Sequence, residues 1–119
     1  MCFETTESAR AKIAKKDITC WKVIQENFSN HFQWAIGLRI EYKPNLLMPS
    51  VKIKKEKEWG EFVINKGYHS FCLKRDLNDF VNENPFHFCS TIKRKFIIPA
   101  GTRYYENDTQ YVSETIMML

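Results

Sequence analysis

Residues 93–119, KRKFIIPAGTRYYENDTQYVSETIMML, constrain the fold most, because they hold the densest β signal in the chain. Phe96, Ile97 and Ile98 form an aromatic and β-branched run that stops at Pro99, which has no N–H to give to a ladder. Gly101 supplies the freedom a tight turn needs, and strand-type residues resume from Thr102 to Tyr105. Glu106, Asn107 and Asp108 make a second turn cluster, after which the sequence runs through Tyr111 and Val112 to the apolar Ile116, Met117, Met118 and Leu119. This predicts a closing β-meander whose apolar last residues tuck into a sheet or an interface. An alternative reading makes Arg103, Tyr105 and Glu114 a binding cluster.

The 119 residues are enough for one core and predict a single domain over 1–119. A 44% apolar and 14% aromatic content fits a folded globule rather than a disordered tail. The formal charge of +4 permits an acidic protein or nucleic acid as partner and requires neither. No apolar run approaches the ~18–20 residues of a membrane span, so no membrane association is expected. The opening MCFETTESAR has acids and hydroxyls where a secretory signal has a basic and then an apolar region. Cys2, Cys20, Cys72 and Cys89 form no CxxC pair, so they read as reduced thiols in a cytoplasmic protein.

Earlier in the chain, residues 5–16 have a cap at Thr5 or Thr6, Glu7 in the first turn and Lys15 and Lys16 at the end, which predicts a peripheral N-terminal helix. Residues 18–24 are apolar on both registers, the mark of a central strand. Phe32, Trp34 and Ile36 alternate, Gly37 suggests a bulge, and Leu38, Ile40 and Tyr42 alternate again against charged residues. Further strands are expected at 51–54, 59–65 and 86–89, with a charged turn or edge at 55–58. Leu73, Leu77, Phe80 and Val81 recur at i, i+4, i+7 and i+8, predicting an amphipathic helix capped by Ser70 and stopped before Pro85. The class is therefore α+β: a mainly antiparallel sheet with one long amphipathic helix packed on it and the N-terminal helix at its periphery.

Four constellations bear on chemistry. His69, Cys72, His87 and Cys89 are the right types and number for zinc, but the single-residue gap between His87 and Cys89 is not a usual ligand spacing, and such cysteines commonly serve as small buried hydrophobes. Cys72 and His69 would lie one turn apart on an early-starting helix, yet no third orienting group accompanies them. Four isolated glycines make no phosphate-binding loop. Lys52, Lys54, Lys55 and Lys57 form one basic cluster and Lys93, Arg94 and Lys95 another, with Trp59 and Tyr68 near in sequence for stacking. Glu56, Glu58 and Glu61 dilute the first cluster, and a solvated lysine-rich edge that discourages aggregation is the favoured reading over nucleic-acid contact. No catalytic residue, metal ligand or cofactor is assigned.

Three blocks, AKKDITCWKVI, GYHSF and KFIIPAGTRYYENDTQYVSETIMM, resemble small uncharacterised proteins encoded by phages and mobile elements of gut bacteria, over about half of the chain. The resemblance implies a setting rather than a chemistry. Short proteins without cofactors in that setting include antagonists of host defence systems such as CRISPR effectors. The expected function is a non-enzymatic protein-binding module of that kind, acting on a host or phage protein as monomer or homodimer. Exposed aromatics, Phe28, Trp59 or Tyr68, would be its anchors. The alternatives are a nucleic-acid-binding accessory protein using Lys52, Lys54, Lys93, Arg94 and Lys95, and an enzyme, either zinc-dependent or resembling ADP-ribosyltransferases through Glu114.

Overall fold

The computed structural model describes residues 3–25, 41–83 and 91–119. Within them lie ten strands and one helix: β1 (Phe3–Thr5), β2 (Lys12–Ile13), β3 (Ile18–Gln25), β4 (Glu56–Glu58), β5 (Glu61–Ile64), β6 (Tyr68–Phe71), α1 (Lys74–Glu83), β7 (Thr91–Ile98), β8 (Arg103–Glu106), β9 (Gln110–Ser113) and β10 (Met117–Met118). They form a seven-stranded sheet ordered β10-β7-β3-β6-β9-β8-β2 and a three-stranded sheet ordered β1-β5-β4. The paired strands are antiparallel throughout, so the α+β, mainly antiparallel expectation holds.

β3 is central as its two-sided apolar pattern requires, lying between β7 and β6 and pairing with β7 from Ile18↔Ile98 to Gln25↔Thr91. On one face Cys20, Ile24, Phe96, Ile98 and Met118 pack with Tyr68, Ile116, Tyr42 and Met48. The segment carrying Tyr42 and Met48 is held to β10 by bridges from Pro44 to Met118 and Leu47 to Met117. On the other face α1 packs Leu77 against Val23 and Phe71. Beside it, Phe3 and Ile64 of the small sheet meet Val112 and Tyr105.

Several expectations are corrected. Residues 5–16 are not a helix: β1 pairs Phe3 with Ile64, and β2 pairs Lys12 with Tyr104 and Ile13 with Arg103. The helical reading rested on dipole-matched charges, worth only ~0.3–1 kcal/mol each. Against that, the extended segment pairs with β8, buries Ala14 and packs Ala11 on the core, which a helix with a thin apolar face would forgo. The helix of residues 74–83 is amphipathic but spans ten residues, under three turns, and is not long. Ser70 does not cap it, because residues 68–71 are strand β6, with all four side chains buried. The closing residues are not a continuous meander either. β8 and β9 form a hairpin, whereas β7 joins β3 and β10, with β3 and β6 between β7 and that hairpin. Residues 51–54 keep their alternation, with Ile53 buried and Lys52 and Lys54 exposed, but bond to Glu114 rather than to a ladder. The strands expected at 32–40 and 86–89, and the bulge at Gly37, lie outside the described residues.

Candidate interaction surface

The β4–β5 hairpin closes through Trp59 and Gly60, between the paired Glu58 and Glu61. Both turn residues have positive φ, 52° at Trp59 and 81° at Gly60, as a two-residue type I′ loop demands. Such loops favour Asn-Gly or Asp-Gly. A tryptophan held there costs ~1–2 kcal/mol in backbone strain. Trp59 gains no burial in return, since its relative exposure is 101%. A large apolar side chain is thus held out in solvent by a turn that prefers another residue.

Tyr68, the other expected anchor, is buried, and its hydroxyl donates to the Pro49 carbonyl at 2.8 Å. It belongs to the core because β6 is covered on both faces. Phe28 lies outside the described residues.

The basic residues do not form one patch. Lys52 and Lys54 are exposed on the segment before β4. Lys55 is tied inward, its ammonium donating to the carbonyls of Thr6, Glu7 and Ala9. Lys93 and Lys95 are exposed on one face of β7. Arg94, being one residue out of register, points to the other, where its guanidinium donates to the Leu119 carbonyl at 2.6 Å.

The zinc and thiol constellations come apart on the strand. His69 and Cys72, three residues apart with β6 ending between them, have different neighbours. The His69 ring meets Phe3 edge-on at 6.5 Å, whereas Cys72 lies beside Tyr111. His87 and Cys89 lie outside the described residues, among which no three His, Cys, Asp or Glu side chains converge. Glu114 is a structural acceptor, taking the Ile53 N–H at 3.1 Å and pairing with Arg103 at 3.7 Å. It shares with Ile13, Leu47 and Pro99 a surface groove of about 420 Å³, whose rim residues Ile13 and Leu47 are more than half exposed.

One group escaped the sequence reading. Lys22, in the middle of β3, is buried. Its ammonium donates to the His69 carbonyl and lies 5.9 Å from the Tyr42 ring centre. Burial pushes the amine down to about 8. The Cys20 thiol nearby is pushed up to about 12, also by burial, with the Ser70 hydroxyl beside it. Burial likewise holds His69 down at about 4, with the Lys22 charge adding to the effect. His69 Nε2 donates to the Asn65 carbonyl at 3.2 Å, and Nδ1 has no partner among the described residues. The one signal in the sequence was a lysine inside a strand that is apolar on both registers. Neither thiol there is poised as a nucleophile, since Cys72 too is raised, to about 11, by burial.

Among the described residues no helix is long and apolar enough to cross a membrane. Neither a protein-family model, nor a curated protein, nor a solved structure matches the chain.

Proposed function

We propose that this chain is a non-enzymatic protein-binding module, an antagonist of a host defence protein of the kind its phage-like sequence blocks imply, and that Trp59 is its anchor. The observation that carries this reading is the solvent-held tryptophan in a left-handed turn conformation. Strain without burial is compensated when the side chain enters a pocket on another molecule, and tryptophan is among the residues most enriched at interface hot spots. The charged strands support the same role. Glu56, Lys57 and Glu58 on the outer strand of the small sheet disfavour strand-to-strand association, leaving the tip as the point of contact.

The test uses Trp59→Asn. Asparagine suits the turn, so the variant should be more stable by about 1 kcal/mol in urea denaturation. Wild-type and variant proteins are then immobilised and exposed to bacterial lysate, and retained proteins are identified by mass spectrometry. A partner held by the wild type and lost with the stabilised variant is the expected outcome. A partner held equally by both removes Trp59 from the role.

A further inference from the structure

The seven-stranded sheet has a partly open face. Cross-strand partners in an antiparallel ladder share a face, so the register places Thr19, Trp21 and Val23 of β3 beside Ile97, Lys95 and Lys93 of β7. Met117 of β10 pairs with Ile97, and Leu119 follows alongside Lys95. α1 packs on this face at Val23 and Phe71, but Lys93, Lys95 and Leu119 remain exposed, and Trp21, Ile97 and Met117 are half-buried. From the helix, the Lys74 ammonium lies 5.3 Å from the Trp21 ring centre.

Trp21 is therefore bracketed by cations: Lys74 over its ring, Lys95 opposite it on the next strand, and Lys93 about 6.6 Å further along that strand. β3, β7 and β10 contain no carboxylate side chain between them. The acids of α1, Asp76, Asp79 and Glu83, recur at i, i+3 and i+7 on one flank, and Lys74 lies on another. A face whose three strands carry no acidic side chain, with three lysines around an indole and an aliphatic row, matches a polyanion that also presents flat apolar rings.

We propose that this face binds single-stranded nucleic acid, with Lys74, Lys93 and Lys95 on phosphates and Trp21 as the stacking surface. A duplex hides its base faces, whereas a single strand offers them to an aromatic platform. Lys74 leaves the ring for a phosphate as a base takes its place. A second copy of the chain is disfavoured, since a twofold contact would set the lysines against one another. This surface is separate from the Trp59 hairpin, and the inference stands or falls independently of that reading.

The test is fluorescence anisotropy with labelled oligothymidylate across a salt titration. Neutralising three phosphates on a single strand should weaken binding roughly 20-fold between about 50 and 200 mM salt. Lys93→Glu with Lys95→Glu, both at exposed positions, should abolish binding while the thermal unfolding curve is kept. Trp21→Ala risks the packing with α1, so Trp21→Phe is used instead. In a Trp59→Phe background, oligothymidylate should quench emission, and adding Trp21→Phe should remove most of that quench. Failure to bind even at low salt would overturn the proposal. So would binding that survives the double charge reversal, or equal affinity for polyglutamate, which would assign the face to an acidic protein.

Discussion

Lys22 and His69 are buried titratable residues that tie stability to pH. Lys22 keeps its charge through most of the neutral range although burial has lowered its pKa from 10.5 to about 8, so folding at pH 7 carries a desolvation cost on the order of 3 kcal/mol. Lys22→Met keeps the stem and removes the charge. It should raise unfolding free energy at pH 7 by about 1–3 kcal/mol in urea denaturation. Between pH 8 and 10.5 the unfolded wild-type chain binds the extra proton, so wild-type stability rises with pH and the advantage of the variant should shrink across that window. His69 acts at the acid end. Its pKa falls from 6.5 to about 4 on folding, so between those values the unfolded chain is protonated and the folded one is not. Stability is therefore lost as pH falls from 6.5 to 4, by up to about 3 kcal/mol. His69→Gln should flatten that part of the curve, and an unchanged difference between pH 7 and pH 4.5 would show that His69 is not buried as described.

Among the elements, β6 is the one whose entry is most tightly specified. Gly67 has φ 123°, and a Cβ there would come within 2.7 Å of Ile53 Cγ2 and 2.8 Å of Val112 Cγ2. Gly67→Ala combines left-handed strain with overpacking and should cost about 2–4 kcal/mol in urea denaturation. Gly101→Ala, with open space around its Cβ position, should cost less, and equal losses would sink the packing account. β3 was legible because its apolar residues fill both registers, and β8 with β9 because a turn cluster separates two β-rich runs. The character of β6 was not, since YHSF directly precedes a helical stripe and reads as a helix approach until its partners β3 and β9 are known. β1 and β2 were hidden for a related reason: they are two or three residues long, and their partners lie far along the chain at Ile64 and Tyr104. Local pattern cannot register pairing of that range. The exposed Trp59 was nameable from sequence, but its strained turn was not. Trp21 and Lys74 met only once α1 had been laid across β3.

At the scale of the whole molecule, the sheet order separates neighbours in sequence and joins strangers. β3 is paired with β7 along eight residues of each, although the three-stranded sheet, β6 and α1 all have members between them in the chain. That ladder is covered by the core of Cys20, Ile24, Phe96 and Ile98 on one face and, at Val23, by α1 on the other. Its amides can open to water only when both covers detach, which amounts to global unfolding. The short strands β2 and β4 are edges, with exposed side chains at Lys12, Ile13, Lys57 and Glu58, and can fray alone. Native-state hydrogen exchange should therefore put the paired amides of β3 and β7 in the slowest class, with opening free energies equal to that from urea denaturation. Amides of β2 and β4 should open several kcal/mol more easily. The open face gives no reason to expect otherwise, because Lys93 and Lys95 expose side chains while their backbone stays paired with Val23 and Trp21 of β3. Fast exchange throughout β7 would mean that its outer neighbour β10 does not hold the edge, and the rigid platform that Trp21, Lys93 and Lys95 need would be lost with it.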